Sequence, residues 1–148
     1  MKALNYLLVL LAGASVHFGF SPYDFWPASI AGLLMFCSVI TTAERPKTAF
    51  ALAFTFAAGL FGAGVSWVYV SIHTYGEVPV FLAIIFTSGF ALFLALLFAL
   101  PWLLYPLLGN TPGLRLFCFP LFWLFGEWLR SWFLTGFPWL NLGYAHID

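Results

Sequence analysis

The chain has 148 residues, of which 64% are hydrophobic, 22% aromatic and only 7% charged, with five basic residues balancing five acidic ones. Soluble domains carry roughly a quarter charged residues. This composition, with a mean hydropathy of +1.02, therefore excludes an ordinary soluble domain and points to an integral membrane protein, and the even charge balance offers no basic field for nucleic acid.

Lys2 precedes a first apolar run over residues 3–20. Ala12-Gly13-Ala14 resembles the small-residue site of a signal peptide, but a second apolar segment follows, so a retained membrane helix is the preferred reading. Ser21-Pro22-Tyr23-Asp24-Phe25-Trp26-Pro27 breaks the run in a turn at the membrane surface, because Pro ends helices and Tyr and Trp favour the headgroup level. A second segment covers residues 28–40, and Thr41-Thr42-Ala43-Glu44-Arg45-Pro46-Lys47 is the most polar loop of the chain.

The third segment, residues 48–72, holds small residues four apart at Ala58/Gly62 and Gly59/Ala63, a spacing that lets another helix approach closely in lipid. It ends in an aromatic stretch from Trp67 to Glu77. Residues 78–108 carry no charge and are too long for one straight crossing at about 1.5 Å per residue through roughly 30 Å of hydrocarbon. Pro101 and Pro106 predict a helix to about Leu100 followed by a kinked end. After a turn over residues 107–113, a fifth segment runs from Leu114 to Phe133.

The expected fold is an all-α, polytopic membrane bundle of about five transmembrane helices, one transmembrane domain over residues 1–148 with no complete soluble domain. With five crossings, Lys2, Arg45, Lys47 and Arg115 share one side and Arg130 lies toward the other, so the positive-inside rule makes the amino terminus cytoplasmic. The aromatic turns around Asp24, around Glu77 and from Trp132 to Asp148 then share the outer face.

Few residues offer chemistry. Glu127 and Arg130 are three apart on one helical face, as either a charge-neutralising ion pair at a helix end or the lining of a hydrated cavity that orients a polar headgroup. Cys37 and Cys118 sit in apolar runs without ligand spacing and read as buried thiols that behave as small hydrophobes. His17, His73 and His146 fall toward outer segment ends, with no spacing that seats a metal. Ser71, His73 and Asp24 could be drawn as a triad, but no nucleophile elbow supports it. No Gly-rich phosphate loop is present, and neither cofactor nor metal is expected.

Three stretches resemble a known family, in order: Phe20-Ser21-Pro22-Tyr23-Asp24-Phe25-Trp26-Pro27; Gly62-Ala63-Gly64-Val65-Ser66-Trp67-Val68-Tyr69-Val70-Ser71-Ile72; and Glu127-Trp128-Leu129-Arg130 with Thr135-Gly136-Phe137-Pro138-Trp139-Leu140 and Gly143-Tyr144. Together they look like the amino-terminal membrane region of bacterial apolipoprotein N-acyltransferases. The resemblance implies a multi-pass protein of the bacterial inner membrane, with eight helices and a periplasmic nitrilase-like domain. That domain's Glu, Lys and Cys would pass an acyl chain from phospholipid through the Cys to the free amine of a diacylglyceryl-cysteine lipoprotein.

It also implies that the catalytic Glu, Lys and Cys lie beyond the position of Asp148 and that neither Cys37 nor Cys118 is the nucleophile. The 148 residues would match about five of the eight helices and be inert alone. What carries over is a lipid vestibule: Trp139 as a lipid contact or an interfacial anchor, Phe137 and Tyr144 from the same motif, and Glu127 and Arg130 on the helix before it. The implied partners are membrane lipid, a phospholipid acyl donor and a diacylglyceryl lipoprotein acceptor. Taken by itself, the chain has an alternative reading as a small non-enzymatic membrane scaffold or a lipid- or helix-binding module.

Overall fold

A computed structural model describes residues 3–109 and 111–146, with the backbone alone at residue 146. Among these residues the fold is all-helical, with six α-helices and no strand. They are α1 (Ala3–Val16), α2 (Trp26–Ile40), α3 (Pro46–Gly64), α4 (Trp67–Val70), α5 (Val80–Ala99) and α6 (Pro112–Trp132). Two helical stretches, Pro46–Gly64 and Val80–Leu108, are long and apolar enough to cross a membrane.

Element ends follow local chemistry. Both α2 and α3 begin two residues earlier than expected, because Pro27 and Pro46 occupy the first turn of their helices, where the missing N–H costs no hydrogen bond. Past Ala99, the chain tightens into a 3-10 helix over Leu100–Leu108 that accommodates Pro101 and Pro106, as the prolines required. The third segment departs from expectation. It does not run straight to residue 72: at Val65 (φ −107°, ψ 12°) it leaves the helical path, and after α4 it closes as a π-turn over Ser71–Tyr75. Val65 is buried, so the bend is packed into the bundle.

Helix α3 is the central element, packed between α1 and α5. Its approach to α1 requires glycine. A Cβ on Gly13 of α1 would overlap the Phe56 carbonyl oxygen, and one on Gly59 of α3 would overlap the Leu10 carbonyl oxygen. Of the small residues singled out in this segment, Gly59 therefore faces α1, whereas a Cβ on Gly62 meets open space.

In lipid, helices associate through van der Waals packing more than through water exclusion, and here the packing is aromatic. Phe36 of α2 stacks on Phe56 of α3 at 4.3 Å between centroids. Trp123 of α6 meets Phe98 of α5 edge-on at 5.0 Å, and Trp102 meets Phe36 likewise at 5.0 Å. Such pairs contribute about 0.5–1.5 kcal/mol each beyond area burial. Outside this core, Leu4, Leu7 and Leu11, then Phe81, Ile84 and Ile85, then Phe117, Leu121 and Leu124 are exposed apolar side chains, a coat suited to hydrocarbon rather than water.

At one end of the bundle, Arg115 joins two turns. Its Nη1 donates to the Thr41 carbonyl at 2.7 Å and its Nε to the Gly109 carbonyl at 2.7 Å. The Tyr105 hydroxyl donates to the carbonyl of Arg115 itself at 2.9 Å. Arg115 is 3% exposed. It is thus a buried staple, where the sequence alone read it as one of the basic residues that set orientation.

Candidate functional site

The opposite end carries a cavity of about 690 Å³, within the size range of small-ligand sites. Three separated pieces of chain make it: the turn after α1 (His17, Phe20, Ser21, Pro22, Tyr23), the bend after α3 (Gly64, Ser66, Trp67), and the segment after α6 (Phe137, Pro138, Trp139, Leu140, Tyr144). Apart from His17, these residues belong to the three stretches that carry the family resemblance. Sequences far apart in the chain are therefore spent on one hollow.

Each piece is held by identifiable packing. Tyr23 meets Phe18 at 5.1 Å and His17 at 5.6 Å, both edge-on, which closes the first turn on itself. Gly19 is pressed against Ser29 of α2, whose hydroxyl donates to the Val16 carbonyl at 3.3 Å. Trp67 and Trp139 face each other edge-on at 5.7 Å, and Phe137 meets Phe90 of α5 at 4.9 Å. Leu140 is buried and inserts against Gly64, where any Cβ would overlap its Cδ1.

The segment after α6 takes an unusual path. Leu134, Thr135 and Leu140 have φ of 50°, 78° and 62°, a left-handed region that costs a residue other than glycine on the order of 1–3 kcal/mol. Gly136, at φ 81°, takes the one such position that glycine suits. The chain thereby doubles back onto the end of α6, and the Phe137 amide donates to the Arg130 carbonyl at 2.9 Å.

Five residues were expected to form a vestibule here. Phe137, Trp139 and Tyr144 do line the cavity, with Trp139 51% and Tyr144 60% exposed. Glu127 and Arg130 do not line it. They lie behind the segment 137–142, and the ion pair expected between them is replaced by hydrogen bonds to that segment. Arg130 Nη1 donates to the carbonyls of Phe137, at 2.8 Å, and of Trp139. Its Nη2 donates to Asn141 Oδ1 at 2.5 Å. Glu127 Oε1 accepts from the Leu142 amide at 2.6 Å and from Trp123 Nε1 at 2.9 Å. The reason is that a chain folded back on a helix end supplies both carbonyl acceptors and an amide donor, and each charged group meets the backbone group that suits it.

The lining is mainly aromatic and apolar, with polar points at His17, Ser21, Tyr23, Ser66 and Tyr144. No carboxylate, lysine or arginine lines it among the described residues. An aromatic, apolar lining with a few polar points suits the apolar part of an amphipathic molecule. His17 contributes a buried Nδ1 without a partner. His17, Gly64 and Leu140 were not foreseen as site residues, although the conjunction of the three motifs could have indicated the first two turns.

The remaining candidates separate. Ser71 Oγ donates to the Trp67 carbonyl at 3.4 Å, and His73 Nδ1 lies 2.8 Å from the Val78 carbonyl, so two of the three members of the drawn triad are engaged by backbone. Asp24 and Glu77 are exposed in turns, at φ 49° and 53°. Cys37 and Cys118 are free and half-buried. No group of three or more metal-ligating side chains occurs among the described residues; the side chain of His146 lies outside them.

Comparison with known proteins bears on this site. The sequence model of the family described as "Apolipoprotein N-acyltransferase N-terminal domain" matches residues 12–148. An apolipoprotein N-acyltransferase of Pseudomonas syringae pv. tomato is 40% identical over 145 residues, covering 96% of this chain and 28% of that protein. One from Coxiella burnetii is 40% identical over 148 residues, covering 98% of this chain and 30% of that protein. One from Pasteurella multocida is 37% identical over 147 residues, covering 99% and 28% respectively. The chain thus spans less than a third of the length of the curated relatives it matches.

Proposed function

The chain belongs to the apolipoprotein N-acyltransferase N-terminal domain family, and from that premise we propose that it forms the lipid vestibule of such an enzyme's membrane domain. The observation that carries this reading is the convergence of three distant stretches on one apolar, aromatic cavity. A cavity of about 690 Å³ holds a segment of acyl chain with its polar end at the Trp67–Trp139 mouth. In this reading α1, α2, α3, α5 and α6 are five crossings of the bacterial inner membrane. The amino terminus is cytoplasmic, and the cavity opens at the periplasmic end.

The whole enzyme would move an acyl chain from a phospholipid donor to the free amine of a diacylglyceryl-cysteine lipoprotein, through a covalent acyl-enzyme. The 148 residues supply binding and placement to that reaction, not its acid, base or nucleophile, and alone they are inactive. Among the described residues the lining is aromatic and apolar with a few uncharged polar points, which suits a vestibule that orients the lipid.

Photolabelling tests the reading. The chain is placed in phosphatidylcholine nanodiscs doped with a phospholipid bearing a diazirine on one acyl chain, and crosslinks are mapped by mass spectrometry. Labels concentrated on the peptides around residues 17–23 and 137–144 are expected. Labels spread only over the lipid-facing coat of α5 and α6, with none at the cavity, would remove it.

A further inference from the structure

We propose that Arg130 and Glu127 are positioning residues that clamp the cavity's lip, the segment 137–142, in the conformation that accepts an acyl chain. The proposal rests on the reading of the cavity as a lipid site and assigns to two side chains outside the lining the control of its shape.

The guanidinium of Arg130 is 1% exposed and is spent on the lip. It reaches Phe137, Trp139 and Asn141, while its plane rests over the Phe61 ring of α3, 4.9 Å from Cζ to centroid. A buried charge is retained only where hydrogen bonds are supplied, and here both terminal nitrogens are supplied by the lip, Nη1 by two backbone carbonyls and Nη2 by Asn141 Oδ1, while Nε is buried without a partner. Glu127 closes the other end by accepting the Leu142 amide. Between these two anchors lie Pro138, Trp139 and Leu140, all lining the cavity, with Leu140 in a left-handed backbone state that its own side chain disfavours. The clamp offsets that cost. Without it the lip would relax toward ordinary extended backbone and withdraw Leu140 from Gly64 and Trp139 from Trp67.

The two residues differ in what they require. Arg130 must serve acceptors on three different residues from one planar fork, which a lysine ammonium cannot reproduce. Glu127 needs only an acceptor oxygen, which a glutamine carbonyl provides.

The test uses the chain in the same phosphatidylcholine nanodiscs with the diazirine phospholipid, read by hydrogen–deuterium exchange and by photolabelling. In Arg130→Lys, amide exchange over residues 137–142 is expected to rise at least tenfold and cavity labelling to fall at least threefold. Exchange in α3 and α5 should stay unchanged, which reports that the bundle is folded. Glu127→Gln should keep both readouts within twofold of the parent, whereas Glu127→Leu should loosen the lip as Arg130→Lys does. If Arg130→Lys disturbs α3 and α5, Asn141→Leu removes one acceptor of Arg130, together with the long Nδ2 bond to Ser131 Oγ at 3.4 Å, and should raise lip exchange about threefold.

Unchanged lip exchange in Arg130→Lys or, where that variant is replaced, in Asn141→Leu overturns the clamp. If the parent chain takes no label at the cavity while Arg130→Lys still loosens the lip, the lipid reading fails and the positioning role fails with it, leaving a clamp of the fold alone. If the parent is labelled and the lip loosens but labelling holds, the lipid reading stands and the positioning role is overturned.

Discussion

Leu140 fills the space that a side chain on Gly64 would occupy: a Cβ at Gly64 would overlap Leu140 Cδ1 and lie 3.2 Å from His17 Nδ1. One missing methyl group thus lets the segment after α6 seat itself on the end of α3. Gly64→Ala must displace Leu140, and because the obstructing atom is the tip of a flexible side chain, the cost to stability should be only about 1 kcal/mol. The displaced leucine has the cavity to move into. Acyl-chain photolabelling should fall severalfold while unfolding in a denaturing detergent titration shifts little; a large shift with unchanged labelling would contradict the arrangement.

Gly13 and Gly62 make a matched pair of tests. Alanine at Gly13 meets the Phe56 carbonyl, a backbone atom that cannot rotate away, so Gly13→Ala should separate α1 from α3 at a cost of about 1–3 kcal/mol. Alanine at Gly62 meets nothing within 4 Å and gains helix propensity, so Gly62→Ala should be neutral or stabilising by up to roughly 1 kcal/mol. Detergent-denaturation midpoints of the two variants should move in opposite directions or differ plainly in size.

Arg115 ties the turn after α2 to the turn before α6. Arg115→Met would leave the carbonyls of half-buried Thr41 and exposed Gly109 without these donors, and should destabilise by roughly 1–2 kcal/mol. Tyr105→Phe removes one neutral hydrogen bond to the Arg115 carbonyl and should cost about 1 kcal/mol. Proteolysis at the 41–45 turn offers an independent readout, since Arg115→Met should expose it and Tyr105→Phe should not.

Trp139 has two candidate roles that one variant series separates. A cavity role requires the edge-on meeting with Trp67, so Trp139→Ala in a full-length family enzyme should slow both acyl loading and transfer, and Trp139→Phe should restore much of each. An anchor role needs only an amphipathic ring at the interface. In that case Trp139→Ala would leave both steps unchanged and alter only the depth of the segment in the bilayer, measured by quenching with brominated lipids.

How much of this could be read from the amino acids depends on where the cause lies. The extent of α5 was legible because its causes are local: an uncharged run up to Ala99, then Pro101 and Pro106. The bend at Val65 was not, since no proline marks it, and it depends on what packs over Gly64 from more than seventy residues away. Three of the five residues singled out, Phe137, Trp139 and Tyr144, come from aromatic motifs and lie in the cavity wall. The partners of Glu127 and Arg130 were misread because three of the five are main-chain groups, of residues 137, 139 and 142, and backbone groups leave no trace in residue identity. The usable clue was Asn141, a polar residue just beyond a Gly136–Pro138 break and within reach of a buried arginine.

Helix α6 bears a guanidinium near each end, and each is fastened to turns outside the helix rather than left to reach water: Arg115 to Thr41 and Gly109, Arg130 to Phe137 and Trp139. The two anchor points are about 22 Å apart along the axis at about 1.5 Å per residue. The first reaches the turn after α2 through Thr41, and the second holds the segment whose Leu140 seats on Gly64 of α3, so both resist sliding of α6. In the proposed reading of α6 as a membrane crossing, a bilayer that thickens or thins is answered by the bundle tilting as one body or by the lipid deforming around it. The mouth of the cavity then keeps its shape and changes only its height relative to the headgroups.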